Sequence, residues 1–296
     1  MLPSCISDTV RGMKSTPECM ACLFDQAIRT AQLITPETKI HEKIIRTLAA
    51  RVAGMSLEDN PAVLSQHVYD VAAEVSGVID PYKQLKKETN QKAMELLPRL
   101  EELVFQSDDP LKNAVHLAVA GNVIDFGINA DMDVEKDVLA IAEQSFAIDH
   151  LEEFRKQLSP GVKLLYLGDN SGEIVFDRVL LEELLELEAD VVFAVKSGPI
   201  INDVTMEDAE FTGITGITRV IETGSNDIGV NWEKSSEEFK KIFLEADIIL
   251  GKGHGNFETL SGSPYNVFSL LKAKCVCVAR ELGVPLGSIV FRENLL

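Results

Sequence analysis

Along the first half of the chain apolar positions recur at three- and four-residue spacing, as in CLFDQAIRTAQLI, HEKIIRTLAARVAGM and PAVLSQHVYDVAAEV, which predicts helices from Glu18 to about Leu158. Breaks are expected at Thr35-Pro36, Asn60-Pro61, Asp80-Pro81 and Asp109-Pro110. The residue before a proline is pushed out of the helical region, while proline itself suits the first turn of a new helix. After Ser159-Pro160-Gly161 the pattern changes to short β-rich runs separated by helical stretches: KLLYLGD, DVVFAVKSG, TRVIETG, ADIILGKG, KCVCVA and GSIVF. Strands that alternate with helices pair in parallel through crossover helices. The expected fold is α/β: an all-helical lobe over 1–158, then a Rossmann-like lobe over 159–296 whose mostly parallel sheet is flanked by helices.

Composition narrows the function. The 296 residues are 46% hydrophobic, enough for a full core. No apolar run approaches the ~18 residues of a membrane span, and MLPSCISDTVRGMK lacks the apolar centre of a signal peptide, so a cytoplasmic protein is expected. A net charge of −19 repels polyanions, which argues against nucleic acid as a partner and makes cations the more natural guests.

Candidate chemistry concentrates where predicted strands end. In an open parallel sheet ligands sit beyond the carboxyl ends of the strands, where helix amino termini present free N–H groups. KLLYLG runs into Asp169-Asn170-Ser171-Gly172-Glu173. Asp169 and Asn170 offer one anionic and one neutral oxygen, suited to a hard divalent cation, and Ser171 and Gly172 let backbone N–H groups approach a phosphate. A helix cap alone is the plainer alternative for one such turn. The signal recurs, however. Asn202-Asp203 follows the second strand and could complete a metal site, and the loop Gly251-Lys252-Gly253-His254-Gly255-Asn256-Phe257-Glu258 could bring backbone and ammonium groups onto a phosphate. Neither the P-loop nor the dinucleotide spacing is present.

These motifs, with ECMACLFDQA, AGNVIDFG, LGDNSGEIVFD, KSGPIINDVT, GKGHGNFE and LKAKCVCVARELGVP, resemble the damage-control phosphatases, formerly domain-of-unknown-function family 89. The similarity is to the prokaryotic and archaeal branch with an amino-terminal Cys-x-x-Cys, and it covers nearly the whole chain. It implies a divalent metal between the two lobes (manganese, nickel, cobalt or magnesium), held by Asp169, Asn170 and Asp203. The substrate-side groups it implies are Glu173, the loop from Lys252 through Gly253 and Asn256 to Glu258, and Lys272. Another branch carries Arg-Thr-x-Lys where this chain has Ser269-Leu270-Leu271-Lys272. Only the lysine matches, which weighs against transferring that branch's substrates or a carboxyl methyltransferase activity.

The helix containing LKNAVHLAVAGNVIDFGINAD is strongly apolar, yet Asn122, Asp125 and Asn129 share one face. That stripe either meets solvent or lines the cleft opposite the metal, and the resemblance of GNVID favours the cleft. Five cysteines, an odd number, do not suggest a disulfide framework. Cys19-x-x-Cys22 is read either as reduced thiols or as part of a second metal or redox site, with Cys275 and Cys277 or a histidine completing it across the fold. The expectation is a hydrolase: a metal-dependent phosphatase that cleaves small phosphorylated metabolites, with Asp169, Asp203 and Lys252 in catalysis. Asp203, Asp169 or Glu173 would assist water, or Asp169 would attack directly. The alternatives are an S-adenosylmethionine-dependent methyltransferase and a non-catalytic metal or metabolite binder.

Overall fold

A computed structural model of the protein describes residues 12–123 and 144–294. Five helices lead: α1 (Pro17–Ile34), α2 (Thr38–Val52), α3 (Pro61–Ser76), α4 (Lys83–Phe105) and α5 (Pro110–Val123). Their boundaries fall at the four expected prolines. Asn60 caps α3, its Oδ1 accepting from the Val63 N–H at 3.0 Å, and Pro61 opens the first turn. The first three helices share a core of Leu23, Ala27, Ala31, Ile44, Leu48, Leu64, Val68 and Val71. The spacing of these residues gives each helix one apolar stripe. Helices α4 and α5 turn their apolar faces instead into the core of the sheet.

The sheet has seven strands: β1 (Ile148–Asp149), β2 (Lys163–Leu167), β3 (Asp190–Val195), β4 (Arg219–Glu222), β5 (Ile248–Lys252), β6 (Val267–Lys272) and β7 (Ile289–Glu293). Their order is β1-β7-β6-β5-β2-β3-β4, and the β6–β7 pair alone among these is antiparallel. Between them run α6 (Leu151–Gln157), α7 (Glu173–Glu186), α8 (Met206–Phe211), α9 (Glu237–Glu245), α10 (Gly253–Leu260) and α11 (Val276–Leu282). Alternation along β2 sends Leu164 and Tyr166 into the core shared with α5 and α7, and Leu165 and Leu167 into the opposite core with Phe239 and Phe243 of α9. Among the described residues no helix is long and apolar enough to cross a membrane.

Two sequence expectations need correction. The stretch read as helical to Leu158 contains β1, whose two residues pair with Val290 and Phe291 of β7 and are too few to show a period. KCVCVA, expected as a strand, forms the start of α11, with the Cys275 sulfur accepting from the Val278 N–H at 3.4 Å as its cap. The strand lies just upstream, in VFSLLK. Val267, Phe268, Leu270 and Leu271 are all buried, and a continuous apolar run carries no period to separate strand from helix.

Candidate functional site

Strand order reverses around β2, which lies between β5 and β3, so the loops leaving these strands diverge and open a crevice at their carboxyl ends. Asp169 and Asn170 follow β2 directly. The loop after β3 is stitched onto them: Ser171 N–H donates to the Asn202 carbonyl at 2.8 Å and Val204 N–H to the Asp169 carbonyl at 2.9 Å, making an antiparallel bridge between Asn170 and Asp203. Within that loop Ile201 holds φ 45, a conformation that costs a β-branched residue ~1–2 kcal/mol. The result is that Asp169, Asn170 and Asp203, the expected metal-holding set, meet on the wall of one cavity of about 340 Å³.

Hydrogen bonds orient this set. Asp169 Oδ2 accepts from the amides of Asn170 (2.5 Å) and Asn122 (3.1 Å), and the same two amides also donate to Glu173 Oε2 at 3.0 and 2.9 Å. Both amide nitrogens are thereby fixed toward carboxylates. Asp203 lies 3.8 Å from the Lys196 ammonium, itself held by the carbonyls of Asp227 and Gly229. Burial, then the nearby Glu173 and Asp203, push the Asp169 carboxyl well above the usual range. Burial likewise takes Asp203 up to about 6, against the pull of Lys196 and Lys86. Two carboxyls and an amide oxygen are a donor set that fits a hard divalent cation. No group of three His, Cys, Asp or Glu side chains gathers at metal-holding distance among the described residues, so such a site depends on the Asn170 oxygen.

Other expected residues take different places. Lys252, expected to meet phosphate, is fully buried: it donates to the Ala118 carbonyl (2.9 Å), to Glu173 Oε1 (2.8 Å) and to Asp177. All three of its protons are engaged, so its role is to anchor Glu173 behind the cavity. Lys252 offsets the effect of burial on Glu173 and holds that carboxyl below its ordinary value. The N–H groups of Ser171 and Gly172 are also occupied, by Asn202 and by Asn90 Oδ1 at 2.6 Å, and the Ser171 hydroxyl pairs with Thr89. The start of α7 is therefore sealed by α4 and by the loop after β3, and it does not open onto a phosphate. Asn256 ties the β5–α10 turn to β2 through the carbonyls of Lys252, Gly168 and Leu167. Gly253, at φ 73, packs so closely on Asp169 that a Cβ would sit 1.8 Å from Oδ2. Lys272 engages through its backbone, accepting from His254 Nε2 at 2.8 Å. Asn122 and Glu258 line the cavity as expected, whereas Asp125 and Asn129 lie outside the described residues.

Lys274, beyond β6, also lines the cavity, and its charge acts on Asp169 and Glu173. It escaped sequence reasoning because KCVCVA was read as a strand, which hid a fourth strand end at this edge. The helical lobe adds Cys19, Cys22 and Gln26 of α1 and Pro61, Ser65 and Tyr69 of α3. Their spacing, three and four along α1 and four along α3, was the available signal for two faces directed at one place. Gln26 binds Ser65 and accepts from Tyr69, each at 3.2 Å, which locks the two helices at the rim. Opposite them, His254 Nδ1 lies 3.7 Å from Glu258. Burial pushes the Glu258 carboxyl up to about 8 and His254 down to about 4.

A mostly parallel sheet with oxygen donors at its switch point, beside a cavity that α1 and α3 also line, defines an α/β protein. Residues 15–290 match the damage-control phosphatase ARMT1-like domain, and the chain belongs to that family. It is 36% identical over 290 residues to a damage-control phosphatase of Pyrococcus horikoshii, covering 95% of this chain and 99% of that protein. It is 34% identical over 285 residues to a damage-control phosphatase of Archaeoglobus fulgidus, covering 94% and 98%. The crystal structure of a DUF89 family protein from Pyrococcus horikoshii superposes with a TM-score of 0.90 at 34% identity, covering 96% of this chain and all of that one.

Proposed function

We propose that this protein is a metal-dependent phosphatase acting on small phosphorylated metabolites, either sugar phosphates or damaged phosphate esters. The observation that carries the reading is the meeting of Asp169, Asn170 and Asp203 in one cavity that Lys274 also lines. The names of the two archaeal relatives support the same activity. When bound, a divalent cation supplies Lewis-acid polarisation of a phosphoryl oxygen. Asp169, Asn170 and Asp203 would hold it through hard oxygens, which suit magnesium or manganese and also accept cobalt or nickel. Lys274 would neutralise charge on the transferring group, the part first expected of Lys252. Glu258, which burial keeps protonated at neutral pH, faces the cavity and could protonate the departing alkoxide. Either Asp169 or Asp203 would orient the attacking water.

The test is phosphate release from a panel of sugar and metabolite phosphates by chelator-treated protein, with each metal restored in turn, beside Asp169→Ala and Asp203→Ala. Turnover that returns with metal and is lost in both folded variants supports the reading. Metal binding without release from any ester would leave a binding protein and overturn it.

A further inference from the structure

The sequence pairs Cys19-x-x-Cys22 and Cys275-x-Cys277 lie far apart in the chain, yet all four thiols line the same cavity wall. One pair comes from the start of α1 and the other from the start of α11, and all four are free. They are not equivalent. The exposed Cys22 sulfur accepts from Gln26 Nε2 at 3.2 Å, and the Cys275 sulfur caps α11. Cys19 and Cys277 are both buried and share one apolar cluster with Met13 and Phe257. The Cys277 sulfur donates to the Lys14 carbonyl at 3.9 Å and the Cys19 sulfur accepts from the Thr16 N–H at 3.5 Å, so both sulfurs sit against the short segment that leads into α1. A thiolate metal centre would need three or more such ligands to converge, and among the described residues none do. What the structure holds is two buried thiols packed in one cluster against the same turn.

We propose that Cys19 and Cys277 form a dithiol site which hydrogen peroxide, entering through the cavity, oxidises to a disulfide that fastens α1 to α11. The Cys19 sulfur attacks one peroxide oxygen and the O–O bond breaks. Cys19 becomes a sulfenic acid, and its proton leaves with the released hydroxide as water. The Cys277 sulfur then attacks the Cys19 sulfur, and its proton joins the departing hydroxide as a second water. Two thiols and one peroxide give one disulfide and two waters, with both electrons accepted by the peroxide. Burial, and the neighbouring Cys19 against the opposing bond from Thr16, push the Cys277 thiol up to about 12, so Cys277 acts second, as the resolving partner. The site is independent of the phosphatase reading, since its chemistry needs neither the metal-holding set nor a phosphate.

The experiment uses the reduced full-length chain exposed to equimolar hydrogen peroxide, then alkylated, digested without reductant and mapped by mass spectrometry. A peptide joining Cys19 to Cys277 is expected. It should disappear on reduction, be absent in Cys19→Ser and in Cys277→Ser, and persist in Cys22→Ser, with circular dichroism confirming that each variant is folded. A bridge from Cys19 to Cys22, Cys275 or Cys5 would overturn the assignment, as would Cys19 advancing to sulfinic or sulfonic acid while Cys277 stays free. Zinc found in the protein as isolated, shielding both thiols and lost in Cys19→Ser, would overturn it in favour of a metal centre.

Discussion

Lys252 and Glu173 form an ion pair at 2.8 Å in which neither side chain reaches solvent. Asp177 is the second anion on the same ammonium, with no exposure of its own. Glu173 turns its other oxygen to Asn122 and Asn170, and through those amides it sets the orientation of Asp169. The pair thus belongs to the scaffold of the cavity floor. Replacing Lys252 with Met should leave two buried carboxylates uncompensated and destabilise the fold by ~3–5 kcal/mol, measured by urea unfolding. A loss below ~1 kcal/mol would mean that the carboxyls protonate freely and that the scaffold role is minor.

Gly253→Ala tests the contact between α10 and Asp169. The left-handed backbone should cost ~1–2 kcal/mol of stability, while the new methyl displaces the Asp169 carboxylate. Titration calorimetry with manganese should show affinity falling by about tenfold or more, the scale of loss when a ligand's support is removed. Unchanged affinity in folded protein would exclude Asp169 as a ligand.

Lys274→Ala removes the cavity's ammonium without disturbing the core, because this side chain is exposed. Loss of a charged hydrogen bond of ~1.5–3 kcal/mol predicts a drop in kcat/KM of about 10–100-fold with metal affinity preserved. Lys272→Ala should have a much smaller effect, since the engaged groups of Lys272 are backbone atoms.

His116 packs on Phe146 at 4.4 Å, and its Nδ1 has no partner among the described residues. Burial, aided by Lys112 against the pull of Asp149, holds the imidazole below its ordinary value, so the unfolded chain binds the proton more readily. The stability this contributes is complete above about pH 6.5 and declines as pH falls from there through the lower folded value. Urea midpoints across that window should fall less steeply for His116→Phe than for the parent. Parallel curves would place the titration elsewhere.

The convergence of Asp169, Asn170 and Asp203 was legible because a strand end fixes where its next residue goes, whatever surrounds it. The fate of Lys252 needed one further step. Alternation puts it on the same face as Leu250, two residues earlier, and that face packs beneath α5 and α7. What no local pattern could supply was the sealing of Gly172 by Asn90 or the burial of Cys19 and Cys277 in one cluster, since each joins segments whose approach depends on how whole helices dock.

That docking has a consequence for how the protein is made. The cavity takes its wall from Glu18 and from Cys277, which lie far apart in the sequence. On a ribosome, the strand bearing Asp169 emerges long before the segment that encloses it. A nascent chain therefore carries Asp169 and Asn170 without that side of their enclosure, and α1 meets α11 only after Cys277 and Arg280 have emerged.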